Sequence, residues 1–430
     1  MAEAAIPPTA VGAPCLSEDS DEEPGPQASN PQSVDPITHM HAALEFATSR
    51  RQPTSTLSSK QLQLLTELAE DPEMVCARAA QAVAYWRQRK AAMASATDYY
   101  RTQLGANARG TLGKLDLFLL EEIATTSNSV DTQYVQDLAA GFPITGNIDA
   151  GNHGTPIPGG QRINRKPGLG GAKPLDQLHD QCAEINARTI RKALAKTTRS
   201  AQEKELAVEA WAKVEKDIQN GHAAEPIELE AFDVREGLLV DTFGVWERHA
   251  GSKWKVRVIS NFRANQANDY AWIPSKLRYD GFDELLEALA VLRGHSAQQL
   301  SLGKADFKSA FKTLPTAGDQ QWLCWSLAYN PHAERLQVIP IRSQSFGSLG
   351  AVVAWFRTAR LLQHILQELF GVVVFAYVDD FYWPCSGTCA SGGVAADWIL
   401  ELFKTVCTDL LGWALDPDKQ SLRCWAYEFR

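Results

Sequence analysis

Residues 375–383 read FAYVDDFYW, an apolar run with two adjacent carboxylates, Asp379 and Asp380, at its centre. Carboxylates are almost never fully buried without a partner, and two side by side repel each other. Such a pair needs solvent or a cation. Taken alone, the stretch also reads as two strands joined by a polar Asp-Asp turn. A third carboxylate, Asp306, closes the apolar stretch LSLGKAD, with Phe307 directly after it and Phe311 five residues on. If the strand ending in Asp306 lies beside the hairpin whose turn holds Asp379 and Asp380, three carboxylates converge on one sheet face. Two divalent metals about 3.5–4 Å apart, held by such carboxylates and bridged by phosphate oxygens, support in-line phosphoryl or nucleotidyl transfer. Mg2+ (or Mn2+) suits the cluster, because magnesium accepts one or two protein carboxylates and takes its other oxygens from water and substrate phosphates.

Positioning such a cluster needs a sheet backed by helices. After residue 225 the chain alternates strand and helix patterns: KWKVRVISNF and LSLGKAD as strands, GFDELLEALAVLRG as an amphipathic helix, QWLCWSLAY with LQVIPIRS as a hairpin. AVVAWFRTARLLQHILQELFG is a long helix stopped by Gly371. The expected fold class is α+β, an antiparallel sheet backed by helices and preceded by a helical N-terminal region. Expected boundaries are a disordered acidic tail over 1–56, a helical region over 57–141, a Gly/Pro-rich linker over 142–173, a helical pair over 174–224 and a mixed α/β region over 225–430. Asp71 and Pro72 supply an N-cap and first-turn proline. Arg188, Arg191, Lys192, Lys196 and Arg199 fall on one predicted helix, either as a solvated face or as a phosphate contact.

Hydrophobic content of 45% and charged content of 22% describe an ordinary globular chain, and the net charge of -9 argues against a polycation that coats nucleic acid indiscriminately. Much of that acidity sits in LSEDSDEEP near the start. No apolar run reaches the roughly 20 residues of a membrane helix, and the N-terminus lacks a secretion signal, so an intracellular protein without a membrane partner is expected. Eight cysteines in 430 residues make no disulfide framework and are read as free thiols.

Five stretches in order give a resemblance: residues 240–425 look like the fingers and palm of a reverse transcriptase. KWKVRVISNFRAN from Lys253 resembles the fingers strand that grips a triphosphate. GKADFKSAFKTLP from Gly303 resembles the first palm motif, SFGSLGAVVAWF from Ser345 the second, YVDD from Tyr377 the third, and LLGWALDPDKQ from Leu410 the fourth. The FG dipeptide, the LGWALDPDK stretch and the long helical preface look most like polymerases of tyrosine-recombinase-type (DIRS-like) retrotransposons.

The resemblance implies a polymerase palm and fingers that add deoxynucleotides to a primer on an RNA or DNA template with two metal ions. Asp306 and Asp379 become the main metal ligands, Asp380 assists, and the backbone carbonyl of Phe307 is a further ligand. Arg257, with Lys253 or Lys255, pairs with the triphosphate. Phe311 lies under the sugar and leaves no room for a 2′-hydroxyl. Phe346 and Gly347 shape the nucleotide pocket, the glycine because backbone must approach a ligand closely. Lys419 is a proton donor to the leaving pyrophosphate. Asn261 departs from the Asp usual in the fingers motif, and Phe346 from the Gln of several retroviral members. The chain reaches Arg430 shortly after the fourth motif, so no thumb, RNase H or recombinase is expected within it. The alternatives are a catalytically silent palm-fold module that binds nucleic acid or protein, and an RNA-dependent RNA polymerase, which Phe311 disfavours.

Overall fold

Capping chemistry starts the helices that precede the sheets. In the computed structural model, which describes residues 55–161, 172–195, 200–248, 254–296, 300–386 and 395–424, helix α1 (Ser59–Glu70) opens on a capping box between Ser58 and Gln61. Helix α2 (Pro72–Gln103) opens on Asp71, whose carboxylate accepts from Met74 N, and Pro72 sits where its missing N–H is not needed. Helices α3 (Ala106–Thr111), α4 (Leu117–Thr126) and α5 (Tyr134–Ala140) follow. The tail expected over 1–56 lies outside the described residues except for Ser55 and Thr56, and so does Lys253.

The Gly/Pro-rich segment expected as a linker is instead partly woven into the fold. It contributes strands β1 (Gly146–Asn147) and β2 (Thr155–Gln161). Phe142, Ile144, Ile148 and Ala150 are buried within it. Gln320 Oε1 accepts from both Ile144 N and Thr145 N, and Phe142 N donates to Pro315 O. Composition misleads here because the pairing partners lie more than a hundred residues away. Helices α6 (Asp176–Asp180), α7 (Cys182–Leu194) and α8 (Ala201–Gln219) come next, the last opened by a Ser200/Glu203 capping box.

The remaining elements are β3 (Ile227–Glu228), β4 (Leu239–Arg248), β5 (Trp254–Ser260), β6 (Ala271–Lys276), α9 (Phe282–His295), β7 (Leu300–Asp306), β8 (Trp325–Asn330), β9 (Arg335–Pro340), α10 (Leu349–Phe370), β10 (Phe375–Tyr377), β11 (Asp380–Ser386), α11 (Ala395–Lys404) and β12 (Ser421–Cys424). They form three sheets in the orders β1-β6-β2, β3-β9-β8-β4-β5 and β10-β11-β7-β12. Most pairings among the described strands are antiparallel, while β1/β6 and β4/β8 run parallel. The chain is therefore a mixed α+β fold rich in antiparallel sheet, as expected.

One apolar core runs beneath the β10-β11-β7-β12 sheet. It joins Trp355, Leu362 and Leu366 of α10, Phe381 and Trp383 of β11 and Phe403 of α11 to Leu65, Val75, Trp86 and Leu120 of the preceding helices. The N-terminal helices thus share the sheet's core. Trp383 lies over Gly303 of the neighbouring strand, where a Cβ would come within 2.2 Å of the indole. Helix α10 stops at Gly371, which adopts φ +69°, a conformation glycine takes at no steric cost. No described helix is long and apolar enough to cross a membrane.

Candidate catalytic site

The register of two central strands brings the acids together. β7 and β11 are antiparallel, and Asp306 is the direct cross-strand partner of Asp380. Directly opposite residues in such a ladder have Cα atoms about 4.5–5.5 Å apart and side chains on one face. β10 pairs with β11 from Tyr377 to Asp380, so Val378 and Asp379 form the two-residue turn between them. This corrects the expectation that Asp379 and Asp380 together make the turn: Asp380 is already in the ladder, opposite Asp306. Val378 has φ +58°. A β-branched residue there carries backbone strain of about 1–3 kcal/mol. Its carbonyl is held from below by Trp355 Nε1 at 2.9 Å, so α10 stabilises the strained turn.

The electrostatics are uneven. The Asp306 side chain is only 7% exposed; its Oδ2 bonds to Lys419 Nζ at 2.6 Å, while its Oδ1 is buried with no hydrogen-bond partner. Burial pushes the Asp306 carboxyl above its ordinary pKa, Lys419 pulls it back, and Asp379 and Asp380 push it up further. Burial lowers the Lys419 ammonium, but its bond to Asp306 leaves it raised overall. The two shifts pull opposite ways for one pair. Burial decides for the nearly enclosed acid, because Lys419 is 43% exposed and still hydrated. Asp416 N donates to Asp306 O at 2.9 Å, which ties the loop carrying Lys419 to the acid's own backbone.

Lys304, two residues before Asp306 and on the same face of β7, bonds to Asp380 Oδ1 at 2.8 Å. Sequence reading passed over it, although the two-residue spacing was a usable signal. Phe307 has its ring in the core against Trp355, Phe381 and Phe403. The Phe307–Leu415 bridge is closed by Lys308 N to Ala414 O and Asp416 N to Asp306 O, bonds that bypass the Phe307 carbonyl. Among the described residues no group of three or more His, Cys, Asp and Glu side chains is gathered as a metal cage.

A row of rings and one cation leads from the carboxylates to β5. Phe311 packs edge-on against Trp355, with centroids 6.3 Å apart, and against Phe346 at 5.4 Å; the Arg257 guanidinium lies 5.4 Å from the Phe346 ring. Arg257 also pairs with Glu247 at 3.2 Å, and Lys255, across from Glu247 in the β4/β5 ladder, shares its face. Phe311 is nearly buried and Phe346 half exposed. Gly347, at φ +104°, is required by the protein's own backbone, since a Cβ there would meet Ser260 O at 2.5 Å. The neighbour is the end of β5, so the glycine has a reason within the chain itself. Asn261 accepts from Ala264 N and closes a turn, so its side chain is engaged without the usual Asp.

Lys312, one residue after Phe311, is a cation the sequence reading missed. It bonds to Asp217, whose buried carboxyl is pushed up by burial yet held below its ordinary value by His222 and Lys312. The three line a small cavity of about 50 Å³ with Ser343, Ser345 and Phe346. Protein-family models give no match to the chain, and neither does any curated protein.

Proposed function

We propose that this chain is a template-directed DNA polymerase of the reverse-transcriptase kind, extending a primer with deoxynucleotides on an RNA or DNA template inside the cell. In this reading the β10-β11-β7-β12 sheet is the palm, and the β4/β5 hairpin with its sheet is the fingers. One observation carries it: Asp306 faces Asp380 across the β7/β11 ladder, with Asp379 in the adjoining turn and one buried Asp306 oxygen unpartnered. A buried lone pair without a partner costs about 1–3 kcal/mol, which a bound cation would remove.

Asp306, Asp379 and Asp380, with the Phe307 carbonyl, would hold two Mg2+ (or Mn2+). Hard oxygen donors of this kind fit magnesium, which needs few protein ligands when substrate phosphates complete its shell. When bound, the ions supply charge stabilisation to an in-line nucleotidyl transfer. The chain's own residues orient the substrate. Arg257 and Lys255, with Lys253, face the triphosphate as a guanidinium fork and ammonium charges. Phe311, backed by Trp355 and braced by Phe346, presents an edge that a 2′-hydroxyl would strike. Gly347 fixes where Phe346 sits. Lys419, bonded to Asp306, holds a proton at Nζ that it would give to the leaving pyrophosphate.

Primer extension on RNA and DNA templates with magnesium or manganese tests this directly. Wild type should add deoxynucleotides and Asp379→Asn should not; no incorporation by wild type, or equal incorporation by the variant, defeats the proposal. A second reading, a silent palm-fold module that only binds nucleic acid, is favoured by the lysines already bonded to Asp306 and Asp380. It predicts template binding that weakens steeply with salt and no turnover.

A further inference from the structure

β10 is the edge strand of its sheet, and an edge strand leaves backbone groups open on one side. At Ala376 one residue fills that side. Asp280, in the connection between β6 and α9, donates its N–H to Ala376 O at 3.3 Å and accepts the Ala376 N–H on Oδ2 at 3.0 Å. The same oxygen accepts from Gln363 Nε2 at 2.6 Å, and Oδ1 accepts from Arg360 Nη1 at 3.0 Å. Gln363 also donates to Val374 O at 2.8 Å, and Arg360 donates to Arg278 O.

The geometry has a repeat. Val374, Ala376 and Val378 are alternate residues, so their backbone groups point to one side of the strand. Helix α10 reaches the first through Gln363 and the last through Trp355, and Asp280 takes the one between. Helix α10 and this segment run in opposite directions, Trp355 reaching Val378 and Gln363, eight residues or about 12 Å on, reaching Val374, and Asp280 bridges them at Ala376.

We propose that Asp280, held by Gln363 and Arg360, is a positioning residue that sets where the Val378–Asp379 turn sits against Asp306. It acts through β10 and touches no substrate. The inference rests on the polymerase reading for its effect on turnover, and on geometry alone for its effect on the hairpin. Asp280→Asn keeps the shape but turns one accepting oxygen into an NH2 that must face a donor: Arg360 Nη1, Gln363 Nε2 or Ala376 N–H.

The test uses the full chain and two readouts. Amide hydrogen exchange at Ala376 should speed up about tenfold to a hundredfold in Asp280→Asn, the range for losing a bond to a charged group. Primer extension should show the maximal rate falling at least tenfold while the nucleotide KM stays within about twofold. Thr97→Val, which removes the buried bond to Asp116 outside the Asp280 cluster, serves as a control and should leave the rate and the Ala376 exchange as they are. Should Asp280→Asn not fold, Gln363→Met removes the glutamine's bonds to Asp280, Val374 and Arg360 and should show the same exchange change. Unchanged exchange at Ala376, or a rate loss shared by Thr97→Val, overturns the assignment. A wild type that incorporates nothing defeats the polymerase reading instead, and exchange at Ala376 still decides the positioning role.

Discussion

Two carboxylates lie almost out of reach of water, Asp131 with a side chain 2% exposed and Asp306 with 7%, and their surroundings differ in kind. Both oxygens of Asp131 are taken by Arg357, Nε at 2.7 Å and Nη2 at 2.9 Å. The guanidinium reaches Asp137 as well and lies against the rings of Tyr134 and Phe142. Gly151 leaves room for the pair, since a Cβ there would sit 1.9 Å from Asp131 Oδ2. Neither oxygen of Asp131 is open to a newcomer. Asp306 has one oxygen on a half-exposed lysine and the other on nothing, beside two more acids. A saturated buried ion pair locks two segments of chain together, here the N-terminal helices and α10. A buried acid left half-satisfied works against folding and is suited to a ligand that arrives afterwards.

Breaking each cluster sharpens the contrast. The largest effect is expected on turnover: Asp306→Asn should lower primer extension about a thousandfold or more, several kcal/mol of barrier, measured as single-turnover incorporation. Arg357→Met strands Asp131 without its partner and should cost about 3–5 kcal/mol of stability in a denaturant titration. Loss of less than 1 kcal/mol there would remove the contrast. Trp355→Phe deletes the donor to Val378 O under the strained turn and should cost about 1–3 kcal/mol, read by the same titration.

The smallest effect is the stability change of Asp306→Asn itself. The folded-state pKa of Asp306 lies above its ordinary value. The folded chain therefore holds that proton more tightly than the unfolded chain, and the favourable contribution exists at low pH and is lost as pH rises through the raised value. At pH 7 the ionised acid opposes folding. Asn at 306 should thus leave the thermal midpoint unchanged or raise it at pH 7, with the difference shrinking below about pH 4, the ordinary carboxylate range. A midpoint that falls by several degrees at pH 7 would place Asp306 in the same class as Asp131.

Elements governed by near neighbours could be read from the chain alone. Asp71-Pro72 opens α2 and Gly371 stops α10 because caps act over a few residues and carry recognisable chemistry. Asp306, Asp379 and Asp380 were legible for a related reason: an acid in an apolar run is a local contradiction. Lys304 shared the face of Asp306 by its two-residue spacing, a signal passed over, whereas Lys312, after an aromatic residue, looks like any surface cation until its acid is known. Asp280 precedes a helix and reads as a cap, yet its partners are Ala376, Gln363 and Arg360, some 80 to 96 residues ahead.

Residue types and their local spacing determined the helices and strands, their ends, and which acids stood out. Tertiary structure alone decided that Asp306 meets Asp380 and not Asp379 across the ladder, that Val378 takes the strained place in the turn, and that a Gly/Pro-rich stretch becomes sheet. The physical reason is range. Caps and periodicity are settled within a turn or two of chain, whereas strand register is settled by which distant apolar faces pack together, and one residue of slip would send Asp306 to the opposite face.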